Sequence, residues 1–144
     1  MPDNAAAFAA LDAFTAKLRQ LESINEDAAK DVAEGFQAKV EENVAAQVDP
    51  YGHAWQAGAD GRAVLTHAAA AVQTRAVGTT ITQTLTGVET RHHVGSARGY
   101  RGGSAKLGGF RRAIIPFSKL PGPFVAVIRD RLSKRFNMIF KGGA

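Results

Sequence analysis

The feature that most constrains the fold is a helical spacing of apolar residues through the first third of the chain. Large apolar side chains follow one another at steps of three or four residues between residues 8 and 21, which places them on one stripe of an α-helix. Ser23 and Glu26 then form a capping-box pattern, which predicts the start of a second helix. The first stripe consists of Phe8, Leu11, Phe14, Leu18 and Leu21.

A second apolar stripe continues at strict four-residue steps. Such a stripe drifts slowly around a helix, so we expect it to contact two packing surfaces. Gly35 lies inside this stripe, where glycine costs roughly 1 kcal/mol relative to alanine. Residues 1–48 are therefore predicted to form two helices or one long bent helix. The second stripe consists of Ala28, Val32, Phe36, Val40 and Val44.

A turn motif ends the predicted helical region. Asp49, Pro50 and Gly52 occupy the first, second and fourth positions of a four-residue segment, which favours a type I turn. Trp55 follows three residues later, and the only tryptophan of a small domain belongs more often to the core than to a ligand site. We expect residues 49–62 to form this turn and a loop around a buried tryptophan.

The hydrophobic pattern changes to a strand period over residues 72–86. Apolar and polar residues alternate on both sides of Gly78, and the many threonines favour strands. The pattern predicts a β-hairpin, within a hairpin region at 63–96, with one face against the helices. A short apolar run at 113–115 predicts a third strand, which Pro116 would confine to a sheet edge.

A helix is predicted to begin at Pro123, near the end of the chain. It carries an apolar stripe as far as Phe140. Between hairpin and third strand, residues 97–112 combine five glycines with five basic residues, which predicts a flexible basic arm. The prediction is therefore a single α+β domain over residues 1–144. N-terminal helices and a C-terminal helix pack on a small, mostly antiparallel sheet with a long glycine-rich arm, and residues 113–144 supply the last strand and helix.

Charge is distributed unevenly along the chain. Residues 1–60 contain four basic and eleven acidic residues, a net charge of −7, whereas residues 61–144 contain fourteen basic and two acidic residues, a net charge of +12. The basic part could bind nucleic acid. Alternatively, an acidic face could dock on the basic face of an identical neighbour, a head-to-tail contact that closes rings. Both charge blocks could equally serve only to keep the protein soluble.

Catalytic chemistry has little support in the sequence. There is no cysteine, and His92 and His93 are adjacent, so their side chains diverge in a helix or a strand. After residue 60 the only carboxylates are Glu89 and Asp130, too few for a zinc or two-metal centre. The segment 102–106 lacks the ending of a phosphate-binding loop. We expect no enzyme activity, no metal and no cofactor.

Membrane insertion and secretion are not expected either. No apolar stretch approaches the roughly 20 residues that span a bilayer. The first residues lack the basic and apolar regions of a secretion signal. The sequence therefore predicts a soluble protein that assembles inside the cell.

Several motifs together resemble a family of phage proteins. The segment Asp49-Pro50-Tyr51-Gly52-His53-Ala54-Trp55 is similar to the Asp-Pro-x-Gly-x-x-Trp turn of phage virion-morphogenesis proteins, including tail-completion proteins of Mu-like phages and the minor tail protein Z family. His92-His93-Val94-Gly95 stands where that family has a His-x-x-Gly segment. Arg111-Arg112-Ala113-Ile114-Ile115-Pro116 matches its Arg-x-x-x-x-Pro strand. The resemblance spans about residues 8–140.

The resemblance implies a non-catalytic virion protein at the head–tail junction, in the neck or at the top of the tail, which assembles in the host cytoplasm. The implied partners are further copies in a six- or twelve-fold ring, the tail tube or terminator, and the head connector. We expect the arm to order on a neighbouring subunit's sheet. We also expect basic arm residues to contact genomic DNA without reading its sequence.

The residues assigned to these roles fall into three sets. The oligomer and partner contacts are Arg98, Tyr100, Arg101, Lys106, Phe110, Arg111 and Arg112, and the DNA-facing candidates are Arg98, Arg101 and Lys106. The structural turn and core residues are Pro50, Gly52, Trp55, Gly95 and Pro116. The alternative function is a basic nucleic-acid-binding module with Arg98, Arg101, Lys106, Arg111 and Arg112 as its contact set.

Overall fold

The computed structural model describes residues 4–55, 57–58, 60–87 and 112–141. Helix α1 (Asn4–Ala46) is followed by a short 3₁₀ helix (Ala68–Ala71), strands β1 (Val72–Val77) and β2 (Thr80–Leu85), and helix α2 (Gly122–Phe140). The two long helices pack on a two-stranded antiparallel sheet, so the predicted α+β fold is confirmed.

Helix α1 is continuous over 43 residues, a length of about 65 Å at 1.5 Å per residue. The capping box predicted at Ser23 is wrong. The hydroxyl of Ser23 donates to the carbonyl of Gln20 and to the carboxylate of Asp27 within the helix. From Ile24 onward the helix packs on the rest of the molecule, and this packing holds one helix through the segment.

The hairpin forms as predicted. β1 pairs with β2 in a register that runs from Val72 opposite Leu85 to Val77 opposite Thr80. Gly78 begins the two-residue turn at φ +58°, a conformation that favours glycine. Exposure alternates along both strands, and β1 packs against α1.

The predicted third strand is wrong. Ala113 and Ile114 are buried as a strand interior would be, but residues 112–121 have irregular backbone. The carbonyl of Ala113 accepts a hydrogen bond from the indole of Trp55, so a side chain occupies the acceptor that a neighbouring strand would use.

The core lies where α1, α2 and the hairpin meet. The rings of Phe36 and Phe124 pack edge to face, with centroids 5.0 Å apart. Val40, Ile114 and Phe124 are almost completely buried. The second stripe of α1 thus contacts both α2 and the sheet side, as its four-residue spacing predicts.

Candidate functional site

The turn after α1 is built around the carboxylate of Asp49. The backbone N–H of Gly52 donates to the Asp49 carbonyl at 3.1 Å, as the predicted type I turn requires. One carboxylate oxygen of Asp49 accepts from the N–H groups of Tyr51 (2.8 Å) and His53 (2.9 Å), and the other lies 3.1 Å from the His53 ring. Gly52 has φ +89°, so a side chain there would strain the turn. Pro50 is buried.

The turn presents Tyr51 to a segment far along the chain. The Tyr51 hydroxyl accepts hydrogen bonds from the backbone N–H of Ser118 at 3.0 Å and of Phe117 at 3.3 Å. It also lies 3.0 Å from the Ser118 hydroxyl, and its ring packs edge to face on Phe117. Burial opposes ionisation of Tyr51, but these hydrogen bonds outweigh it and lower the pKa of Tyr51 below its usual value.

Trp55 makes the second link between the turn and the same distant segment. Its indole N–H donates to the carbonyl of Ala113 at 3.0 Å, and its side chain is buried in the core as predicted. Pro116, two residues beyond Ile114, is half-buried between the two links. The turn motif and the segment around Pro116 therefore form one structural unit, which we call the turn clasp (Asp49–Trp55 with Ala113–Ser118).

Gln47, two residues before the turn clasp, links the end of α1 to the backbone of Val64. The sequence analysis did not identify this role. It has φ +58° at the end of α1, and its side-chain amide both donates to the Val64 carbonyl and accepts from the Val64 N–H, each at 2.8 Å. The only sequence signal for this role is that a polar residue lies just before the turn motif. Its partner lies 17 residues away, beyond the reach of local pattern analysis.

The acidic and basic parts of the chain meet inside the subunit. Arg135 of α2 forms a two-pronged ion pair with Asp31 of α1, in which its Nη2 lies 3.0 Å from Oδ1. The hydrogen bonds from Arg135 lower the pKa of Asp31 below its usual value against an opposing effect of burial, and the positive charges of Arg135 and Arg131 add to that lowering. The same bonds raise the pKa of Arg135. One charge of the acidic part and one charge of the basic part are therefore paired within the subunit.

Residues 97–111 of the predicted basic arm lie outside the described residues. Six of the seven predicted oligomer and partner contacts, and also Gly95, lie outside the described residues, whereas Arg112 is described and half-buried. His92 and His93 also lie outside the described residues. The unplaced contacts are Arg98, Tyr100, Arg101, Lys106, Phe110 and Arg111.

Within the described residues, no three histidine, aspartate or glutamate side chains come together as metal ligands. His53 and His67 are exposed. Neither long helix of the described chain is apolar enough over a sufficient length to cross a bilayer.

Comparison with known proteins identifies no relative. No family model, no characterised protein and no solved structure matches the chain.

Proposed function

We propose that this protein is a structural virion component of a tailed phage that forms a ring at the head–tail junction. In this role it would complete the tail and join it to the head without catalysing a reaction. Its neighbours would be further copies of itself, the tail tube or terminator protein, and the head connector. It would assemble in the host cytoplasm and remain in the virion.

The observation that carries this proposal is the turn clasp. The Asp-Pro-x-Gly-x-x-Trp turn and the Arg-x-x-x-x-Pro segment are two of the motifs of the family resemblance, and each is weak alone. Here Trp55 bonds to Ala113 across 58 residues of sequence, and Tyr51 bonds to Ser118 across 67. The described part of the second motif and the two residues after it join the turn in one unit, which supports the resemblance more strongly than either motif does separately.

The surface charge of the two helices supports docking between copies. Helix α1 carries eight acidic and four basic residues, and α2 carries four basic residues and one acidic residue. Asp31 and Arg135 account for one pair within the subunit. Lys39 pairs with Glu42 within α1, and Lys134 pairs with Asp130 within α2. Other exposed charges, such as Glu41 on α1 and Arg129 on α2, would be available to a neighbour of opposite sign. Arg98, Arg101 and Lys106 would face DNA in the channel of such a ring.

The test is to inactivate the gene in the phage that carries it and to image the lysate by electron microscopy. Full heads beside separate tails of normal length would support head–tail joining, and over-long tails would support a role in length termination. A plasmid copy of the gene should restore complete particles, which controls for effects on neighbouring genes. Intact infectious particles without the protein would contradict the proposal and favour the nucleic-acid-binding alternative.

A further inference from the structure

The first half of α1 extends beyond the rest of the described molecule. The two helices run antiparallel, because Phe36 packs on Phe124 while Asp31 pairs with Arg135. Helix α2 ends at Phe140, and the first buried residue of α1 is Ile24. Residues 4–23, which we call the overhang, therefore project by about 30 Å.

The overhang carries a stripe of exposed apolar side chains. Phe8 is 65% exposed, Leu11 58%, Phe14 51% and Leu18 44%. Since a large aromatic side chain has about 150–250 Å² to bury, this stripe presents roughly 400 Å² of apolar surface in one copy. The largest apolar patch on a typical monomer is about 300–600 Å² and is often functional, so this stripe is a candidate interaction surface.

The stripe is in line with apolar surfaces that the molecule already buries. Leu11, Phe14, Leu18 and Leu21 follow alternating steps of three and four residues, the spacing of a coiled-coil seam. The same series continues through Asn25, which is exposed, to Ala28, which is buried in the body. The seam is therefore covered from Ala28 onward and exposed at Leu11, Phe14 and Leu18 before it.

Helix α2 adds to this open surface. Ile128 packs on the core, whereas Leu132 and Phe136, one and two turns further on, are 40% and 47% exposed. Because α2 runs antiparallel to α1, these side chains lie at the end of the body from which the overhang projects.

We propose that the overhang pairs antiparallel with the overhang of a second copy of this chain. Leu11 would then face Leu21 of the partner subunit, and Phe14 would face Leu18 of the partner subunit. The N-terminal end of each overhang would pack near Leu132 and Phe136 of the other subunit. This pairing does not rest on the proposed role in a phage.

Two observations favour a second copy as the occupant. The overhang contains two acidic and two basic residues and is neutral, whereas the remainder of α1 carries a net charge of −4. Two overhangs therefore approach without net repulsion. The apolar area of two copies, together with the flanking alanines, is on the order of the 1,000 Å² at which specific interfaces begin.

The position of the body decides the orientation. From Ala28 onward the seam face of α1 is covered by the subunit's own core. In a parallel pair, two bodies would occupy the same side of the same helix end and would clash. In an antiparallel pair the bodies lie at opposite ends, and residues 9–23 of the two overhangs can lie against each other in this register.

The pairing is tested by sedimentation equilibrium of the purified chain and two variants. Phe14→Glu places a charge in the seam and should weaken self-association by at least ~30-fold, as expected for a central interface residue. Ala16→Glu adds the same charge at an exposed position on the opposite face and should leave association unchanged. A wild-type chain that stays monomeric, or equal weakening by both variants, would overturn the proposal. Far-UV circular dichroism checks that each variant remains folded.

The orientation is tested by disulfide cross-linking. The native chain has no cysteine, so only the introduced cysteines can form disulfides. Leu11→Cys and Leu21→Cys chains should cross-link when they are mixed and oxidised, and neither should cross-link by itself. Ala16→Cys serves as the control for random collisions. Cross-linking of Leu11→Cys chains alone would indicate parallel pairing and refute the antiparallel arrangement. Since these measurements use pure protein, their failure is distinct from failure of the proposed role in phage assembly.

Discussion

Gly35 allows α2 to approach α1 closely, and adding one methyl group there should destabilise the protein. An ideal Cβ at this position would lie 2.5 Å from Cγ1 of Val127 and 3.4 Å from Nε of Arg131. Carbon atoms pack at about 3.5–4.0 Å, so Val127 would have to move by roughly 1 Å. Valine has one strongly preferred rotamer in a helix and does not turn away easily.

The magnitude follows from two opposing effects of Gly35→Ala. Alanine is favoured over glycine in a helix interior by about 1 kcal/mol. Overpacking a well-filled contact costs typically ~1–3 kcal/mol. The steric effect should win, so we expect the free energy of unfolding to fall by about 1 kcal/mol, measured by urea unfolding with far-UV circular dichroism.

The sign should reverse when Val127 is shortened. In a Val127→Ala background the close atom is gone, and Gly35→Ala should then stabilise the protein by up to ~1 kcal/mol through helix propensity alone. This double-mutant comparison separates the contact from the intrinsic preference. Stabilisation by Gly35→Ala in the wild-type background would refute the close approach of the helices at this point.

Three further outcomes test the turn clasp, the ion pair and the competing function. Trp55→Phe should lower the free energy of unfolding by about 1–3 kcal/mol in urea titrations, because it leaves the buried carbonyl of Ala113 without its donor; an unchanged value would contradict the role of this bond. Asp31 has a lowered pKa in the folded protein, so its ionised form stabilises the fold at neutral pH and this contribution is lost as the pH falls below about 4. Asp31→Asn should therefore cost about 0.5–1 kcal/mol at pH 7, since the pair with Arg135 is partly exposed, and should flatten the acid side of the stability profile. The isolated subunit should bind DNA weakly in a salt titration, whereas a dedicated DNA binder would bind as a monomer, with log affinity falling by roughly 0.7–0.9 per neutralised phosphate as log salt rises.

Local patterns predicted the elements whose chemistry is local. The helical spacing before residue 48, the turn at Asp49 and the strand alternation around Gly78 each depend on neighbours a few residues away, and each appears in the structure. Ser23 shows the limit of such patterns. Ser23 and Glu26 match the capping-box pattern, but the helix continues through them, and Ile24 and Ala28 are buried against the body. A short sequence motif carries no information about that packing.

Long-range partners were the part that the sequence could not supply. The run at 113–115 has strand composition, yet its backbone is irregular, and the Ala113 carbonyl accepts its hydrogen bond from the distant Trp55 side chain. Tyr51 occupies an unspecified position of the turn motif, and its partner Ser118 is 67 residues away. The turn was predictable from its residues, whereas its second function as one half of the turn clasp was not.

The contacts that close the molecule also set the order in which it can fold during synthesis. Asp31 and Arg135 are separated by 104 residues, which a ribosome adds in roughly 5–20 s. During that interval the core face of α1, which includes Phe36 and Val40, is not yet covered by α2. Until α2 has been synthesised, the face of α1 that packs on α2 is open to other chains, including nascent chains on the same messenger.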